Sequence, residues 1–199
     1  MLEKGRFSKN LRKFLLVLAV FFSTKTAVAE NLEKKVISYN SNLKNSSANF
    51  IQTDGETVEE GVVFIGPSRI RFDYKNPENI SIVLSEKRGM YVNHELREAQ
   101  FFSTNKTIVG IFFQILSSDS FLKTSDIVEF KETITITNNF NFDDVYFKTN
   151  IIYESDPLKL RKIKFREDNR NIEIGFFDHK KFEEKKNRFF ALINPFILN

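Results

Sequence analysis

Residues 69–74, Arg-Ile-Arg-Phe-Asp-Tyr, alternate charged and apolar side chains at every position. Successive side chains of a β-strand point to opposite faces of a sheet. The stretch therefore predicts a strand with Ile70, Phe72 and Tyr74 on a buried face. Arg69 and Arg71 are expected to point outward.

The same period of two continues on both sides of this stretch. An Asp54-Gly55 turn signal separates the two preceding runs, and a Gly66-Pro67 bend follows them. Strands are predicted over residues 50–54, 58–65, 80–84, 89–92 and 95–102. Short strands joined by regular turns predict an antiparallel meander.

The second half of the chain again reads as strands. They are predicted over residues 127–137, 144–154, 158–166, 171–178 and 189–192. The fold class is therefore mainly β, with few helices. About 170 residues after the first 29 suit one domain with a single core.

Two segments break the period of two. Residues 32–43 place apolar side chains at helical spacing and predict a short helix. Residues 107–116, Thr-Ile-Val-Gly-Ile-Phe-Phe-Gln-Ile-Leu, are almost all apolar and predict a second helix. A short apolar helix between strands needs an apolar surface beneath it, so we expect it to plug the mouth of a sheet or barrel.

The first 29 residues have the pattern of a secretory signal peptide. A basic region that includes Arg6, Lys9, Arg12 and Lys13 precedes an apolar run over 14–22, and Ala27-Val28-Ala29 supplies the small residues of a cleavage site. The run is short for a membrane anchor. We expect cleavage after Ala29 and export to the periplasm of a Gram-negative bacterium.

Charge and cysteine content exclude several function classes. The first 29 residues hold six of the 30 basic and one of the 26 acidic residues, so 24 basic and 25 acidic residues remain. A net charge of −1 does not favour nucleic-acid binding. The chain has no cysteine, which excludes disulfides, thiolate metal sites and a lipid-modified N-terminal cysteine.

Nineteen of the 23 phenylalanines follow residue 29. So many large apolar rings in a small domain suit an apolar cavity as well as a β core. An AT-rich genome, also rich in Asn, Lys and Ile codons, accounts for the same composition.

The sequence offers few catalytic groups. His94 and His179 are the only histidines and lie in polar segments, so we expect both at the surface. No metal-ligand spacing, nucleophile elbow or phosphate loop occurs, and we expect neither a cofactor nor enzymatic activity. The basic runs 159–164 and 180–186 are read as solvated faces, with docking of an acidic partner as the alternative.

The order of the motifs resembles the LolA family of periplasmic outer-membrane lipoprotein carriers. The signal and short helix are followed by Ser-Ala-Asn-Phe-Ile-Gln (47–52) and Gly-x-x-x-x-x-Pro-x-x-x-Arg-Phe-x-Tyr (61–74). Asn76-Pro77, the apolar helix, Asp-Pro-Leu (156–158) and Phe-Phe-x-Leu-x-x-Pro (189–195) come next. The resemblance covers residues 30–199.

The resemblance implies an incomplete antiparallel β-barrel, or strongly curved half-barrel, with an N-terminal helix and a central lid helix. Its cavity would bind the acyl chains of lipoproteins. On this interpretation the cavity is lined by Phe50, Phe64, Ile70, Phe72, Tyr74, Ile82 and Leu84. The lid is formed by Ile108, Ile111, Phe112, Ile115 and Leu116.

The resemblance also implies partners. An inner-membrane ABC exporter would load a monomeric carrier with lipoprotein, and a LolB-like acceptor or the outer membrane itself would receive it. The family commonly has Arg before the proline of the bend, whereas this chain has Gly66. The alternative function is an envelope sensing or regulatory domain that binds lipid or lipoprotein on a related half-barrel.

Overall fold

The structure is a computed structural model that describes residues 30–117, 119–142, 145–167, 170–183 and 187–197. The predicted signal peptide lies outside the described residues. Within them no helix is both long and apolar enough to cross a membrane.

The described residues form eleven strands and a few short helices. The strands are β1 (Ser46–Thr53), β2 (Val58–Ile65), β3 (Ile70–Asn76), β4 (Ile80–Leu84), β5 (Arg88–Asn93), β6 (Glu98–Ser103), β7 (Asp126–Phe130), β8 (Thr133–Phe142), β9 (Val145–Ser155), β10 (Leu158–Glu167) and β11 (Arg170–Lys181). Helix α1 covers residues 30–41. Helices α2 (Ile108–Ser117) and α3 (Asp119–Lys123) lie between β6 and β7, and a 3-10 helix (Asn187–Phe190) follows β11.

All eleven strands join one antiparallel sheet in the order β6-β5-β4-β3-β2-β1-β11-β10-β9-β8-β7. Two meanders meet in the middle, where β1 pairs with β11 and Phe50 lies opposite Phe176. Strands β6 and β7 are the two edges of this curved sheet, which is not closed into a barrel in the described residues.

Helices α1, α2 and α3 cover one face of the sheet, which we call the inner face. Leu32 and Val36 of α1 and Ile111 and Ile115 of α2 belong to the same buried cluster as Phe50 and its sheet neighbours. Alternation along the strands explains this arrangement, since β9 exposes and buries its side chains in turn. The predicted helices at 32–43 and 107–116 are thus confirmed.

The opposite, outer face carries a smaller cluster on β4 and β5. Val83, Met90 and Val92 are buried there against Leu192 and Phe196. Residues 187–197, which we call the C-terminal segment, therefore lie against the outer face of the first meander.

Two predicted strands were wrong in detail. Residues 127–137 form a hairpin, with β7 and β8 joined at Lys131, whose φ is +54°. The charged Lys131-Glu132 pair turns the chain, although the apolar pattern continues across it. Residues 189–192 do not form a strand, because Phe189 and Phe190 belong to the 3-10 helix.

The backbone is packed tightly around Gly110, near the start of α2. A Cβ on Gly110 would lie 1.9 Å from the carbonyl oxygen of Thr104, a buried backbone position. We expect Gly110→Ala to lower the free energy of unfolding by about 2 kcal/mol or more, because the backbone must shift. Urea unfolding followed by circular dichroism measures it.

Gly175→Ala is the matched control. Its added Cβ would meet only the Ile51 carbonyl oxygen at 3.9 Å, an ordinary contact. Equal unfolding midpoints for the two variants would contradict the described packing at Gly110.

Candidate functional site

The candidate site is the apolar interior between the inner face and helix α2. None of the ten residues of α2 is charged, and five of its large apolar side chains are buried: Ile111, Phe112, Phe113, Ile115 and Leu116. Gln114 is the exposed position among residues 111–116. The helix is therefore almost entirely apolar in sequence, yet it has a buried side and an exposed side.

Phe112 occupies the centre of this interior. Its ring lies 5.0 Å from the Phe72 ring of β3 and 6.2 Å from the Phe176 ring of β11. Phe50 extends the group through edge contacts with Phe72 at 5.4 Å and Tyr74 at 4.9 Å. Such edge-to-face pairs contribute about 0.5–1.5 kcal/mol beyond area burial. One side chain of α2 thus contacts both meanders.

Polar contacts hold the start of α2. The Thr107 hydroxyl accepts a hydrogen bond from the Gly110 amide at 3.1 Å and donates to the Thr104 carbonyl at 2.8 Å. This is N-terminal capping by threonine. Thr104 is buried, and its hydroxyl donates to the Glu86 carbonyl at 2.8 Å, which ties the cap to the β4–β5 turn.

The buried side chain of Asn40 holds the C-terminal end of α2. The Asn40 amide donates to the Ile115 carbonyl at 3.1 Å, and its side-chain oxygen accepts from the Tyr153 hydroxyl at 3.2 Å. Complete burial raises the pKa of Tyr153 well above its ordinary value. Tyr153 therefore remains neutral and donates a hydrogen bond to Asn40. These two hydrogen bonds connect Tyr153 of β9, through Asn40 of α1, to Ile115 of α2.

A cleft of about 240 Å³ opens beside this end of α2. Its walls are Asn40 and Ser41 at the end of α1, Lys44 in the turn that follows, residues 65–70 around the β2–β3 turn, and Phe113 and Leu116 of α2. Its lining is therefore mixed, with two cations, Lys44 and Arg69, close to apolar side chains of the interior.

The inner faces of β1–β3 end in polar groups away from the cleft. Tyr74 donates to the Gln52 side-chain oxygen at 3.2 Å, and Gln52 donates to Glu59 at 2.6 Å. Burial raises the pKa of Glu59 and, helped by the nearby Glu59 charge, that of Tyr74.

The structure brings most of the predicted site residues together. Phe50, Ile70, Phe72 and Leu84 are buried in the inner cluster, with Tyr74 and Ile82 packed against it. The predicted lid residues Ile108, Ile111, Phe112, Ile115 and Leu116 join the same cluster. Whether any of them binds an acyl chain stays a prediction.

Phe64 does not face this interior. Its ring packs against Phe182 and Phe189 on the outer face, with centroids 6.0 and 5.0 Å apart. Its neighbours Val63 and Ile65 point inward, so β2 alternation places Phe64 outward. The prediction that Phe64 lines the cavity was therefore wrong.

The second meander supplies inner-face residues that the sequence reasoning omitted. They are Ile134, Ile136, Phe147, Ile151, Tyr153, Leu160, Ile163, Phe165, Ile174 and Phe176. The period of two was visible in these strands as well, so the same alternation would have found them. Asn40 had no such signal, because its role depends on contacts between distant segments.

The two predicted outward arginines hold the C-terminal segment. Arg69 Nη1 donates to the Phe190 carbonyl at 2.6 Å, and Arg71 Nη1 donates to the Phe189 carbonyl at 2.9 Å. The Arg71 guanidinium also lies 4.5 Å from the centre of the Phe189 ring. The direction of both side chains is as predicted, but they bind protein groups.

Gly66 has a steric reason to lack a side chain. A Cβ there would lie 3.0 Å from two ring carbons of Phe190. The C-terminal segment thus packs against the β2–β3 turn, whose other side lines the cleft.

A Ser-His-Asp set lies beneath the same segment. Ser81 Oγ is 2.7 Å from Asp73 Oδ1 and 2.8 Å from His94 Nε2, and Arg71 Nη2 donates to it at 3.1 Å. A carboxylate only accepts, so the single Ser81 proton goes to Asp73 and His94 Nε2 donates. His94 therefore does not act as a base toward Ser81 in this arrangement, unlike the histidine of a hydrolase triad.

Both histidines are partly buried, contrary to the expected surface positions. His94 contacts Ser81 and lies edge-on to Phe196. His179 is half-buried and bonds to the Leu160 carbonyl at 2.9 Å, and burial lowers its pKa. In the described parts of the chain, no group of three acidic or histidine side chains could hold a metal ion.

Comparison with known proteins adds a likeness of fold. No protein-family model and no curated protein sequence matches the chain. It is similar to the crystal structure of an uncharacterized conserved protein from Thermus thermophilus, with a TM-score of 0.52 and 7% identity over 81% of this chain and 94% of that chain. At this identity the likeness concerns the fold alone.

Two structures of PNGF-II, in C2 and P21 space groups, have TM-scores of 0.37 and identities of 5% and 6%. They align with 73% and 74% of this chain but 29% and 30% of their own. Similarity at this level indicates nothing about the function of this chain.

Arg71 predicts how firmly the C-terminal segment is held. Arg71→Met removes its bonds to Asp73, Ser81 and the Phe189 carbonyl and leaves Asp73 without the cation that pairs with it. We expect a loss of about 2–3 kcal/mol in unfolding free energy. We also expect faster protease cleavage after residue 183. Arg88→Met, at an exposed position of β5, is the control, and equal behaviour of the two variants would contradict the account.

Proposed function

We propose that this protein is a LolA-like carrier, which hides the acyl chains of lipoproteins in its apolar interior and moves them between membranes. One observation carries the proposal: an uncharged helix, α2, seats Phe112 between both meanders of an open antiparallel sheet, next to a cleft.

The physical need for such an interior follows from the cargo. Each CH₂ of an acyl chain exposed to water costs about 0.8 kcal/mol, so a chain must be covered during transfer. An inner face rich in Phe, Ile and Leu provides that cover once α2 moves aside. On this proposal the curved sheet acts as a half-barrel and α2 as its lid.

The attachments of α2 suit a lid. It is tied at its start by the Thr107 cap and at its end by the Asn40 bond to the Ile115 carbonyl. Between them it contacts the sheet through side chains. Cargo would replace contacts that α2 already makes, so its net affinity would be modest and release would need no chemistry in this protein.

The proposal also concerns how the lid is held closed without an arginine at position 66. With Gly66 before Pro67, the β2–β3 turn packs on Phe190 instead of presenting a side chain there. Lid closure then relies on apolar contact and on Asn40. Loading by an inner-membrane ABC exporter, and delivery to a LolB-like acceptor or to the outer membrane, belong to the same proposal, as does a periplasmic location.

Native mass spectrometry of the protein recovered from the periplasm tests the function. We expect adducts with the mass of a triacylated lipoprotein. A bound phospholipid in its place would favour lipid sensing or lipid transport. Absence of both after gentle purification would count against the proposal.

The lid generates a variant test. Ile111 is almost fully buried, so Ile111→Asp would put a charge into the interior and impair uptake of a labelled lipoprotein at least tenfold. Gln114→Asp puts the same charge on the exposed side of the helix and is the matched control. Circular dichroism establishes that each variant folds.

Normal lipoprotein transfer by a folded Ile111→Asp protein would refute the lid. Should that variant not fold, Phe113→Gln at the cleft wall serves instead. It is expected to slow uptake while Gln114→Asp does not.

A further inference from the structure

The outer face of the second meander carries a row of cations. Every outward side chain on β10 from residue 159 to 166 is basic: Lys159, Arg161, Lys162, Lys164 and Arg166. A bulge between Leu160 and Lys162 turns Arg161 and Lys162 outward together. Lys148 of β9 lies directly opposite Arg166. We call these six residues the basic stripe.

Few acidic groups balance the basic stripe. Glu173 on β11 bonds Lys162 at 2.9 Å and Lys164 at 2.7 Å, which lowers the pKa of this carboxyl. Glu154 on β9 pairs with Arg161. The six cations of the basic stripe and these two carboxylates sum to +4. Residues 30–199 together carry −1, so the rest of them carries −5.

The register places like charges side by side. Lys148 and Arg166 face each other across β9 and β10, and their next partners in the ladder are Asn139 and Asn171. Like charges directly opposite in a sheet are destabilising. This arrangement lowers the stability of the isolated protein and suits a surface that meets negative charge elsewhere.

Exposed apolar side chains border the basic stripe at both ends. Tyr146, two residues before Lys148, is 65% exposed. On the other side Phe177 and Ile51 are 38% and 40% exposed, and Ile51 pairs with Gly175 next to Lys162. Cations flanked by exposed aromatic and aliphatic groups are the combination that binds anionic lipid surfaces.

The geometry points to the outer face of β9–β11 as a docking surface for an anionic membrane, and we propose phosphatidylglycerol-rich bilayers as its target. The occupant is a lipid surface because the cations line an exposed strand face with apolar borders. This docking does not depend on carriage of acyl chains. The C-terminal segment covers part of the outer face of the first meander, at Phe64 on β2 and at Val83, Met90 and Val92 on β4 and β5, so the second meander's outer face is the more open of the two.

Vesicle co-sedimentation tests the proposal with protein purified from the periplasm of a Gram-negative host. We expect binding to phosphatidylcholine vesicles with about 30% phosphatidylglycerol, loss of binding in about 0.5 M NaCl, and no binding to pure phosphatidylcholine. Neutral vesicles also reveal binding through the acyl-chain interior, so the two functions are distinguished.

A triple variant addresses the basic stripe directly. Lys148→Gln, Lys159→Gln and Arg166→Gln together should weaken partition to the anionic vesicles about a hundredfold, at roughly fivefold per cation. No ion pair of these three is found among the described residues, so the fold should survive. The control removes three exposed lysines elsewhere, with Lys75→Gln, Lys87→Gln and Lys123→Gln.

Three results would overturn the proposal. One is equal binding to neutral and anionic vesicles. Another is equal weakening by the triple variant and its control. The third is salt-sensitive binding to poly-glutamate without binding to anionic vesicles, which would assign the basic stripe to an acidic protein. The triple variant and its control have the same N-terminus, so the charge of the N-terminus cannot explain a difference in their vesicle binding.

Discussion

An open antiparallel sheet with one apolar face must have that face covered, and the seating of Phe112 between Phe72 and Phe176 meets this constraint. Burying a large apolar side chain contributes about 1.5–3 kcal/mol. Helix α2 supplies five such side chains and no charge. The same contacts that complete the core are the ones that a bound acyl chain would replace, so stability and the proposed function compete for one surface.

The outer faces of the two meanders differ from each other. On the first meander, Arg69 and Arg71 hold the C-terminal segment through backbone carbonyls and the Phe189 ring. On the second, the basic stripe is left with +4 and no such cover among the described residues. Identical alternation in the two halves thus produces a closed outer surface on one side and a charged one on the other. Positively charged side chains serve as anchors in the first and as a docking surface in our proposal for the second.

Much of the fold could be predicted from periodicity. Alternation in residues 69–74 placed Ile70 and Phe72 inward and both arginines outward, and the apolar run at 107–116 predicted α2. One error came from the phase of alternation within a strand, and the others arose where long-range contacts decide. Phe64 follows the outward phase of β2 because Val63 and Ile65 take the inward one, and it packs against Phe189, which lies more than 100 residues away in the chain. Phe189 and Phe190 read as a strand but pack as a 3-10 helix under arginine anchors. Both histidines were expected at the surface, and burial depended on partners that no local pattern reveals.

Hydrogen–deuterium exchange of α2 with and without a triacylated lipopeptide tests the central claim most directly. A non-acylated peptide of the same sequence is the reference. The account predicts that backbone amides of residues 111–117 exchange faster when the lipopeptide is bound, because α2 leaves the inner face. Amides of β1 and β11 in the sheet centre should stay protected. Bound lipopeptide with unchanged or slower exchange in α2 would contradict the account, since the interior would then not be the acyl-chain site.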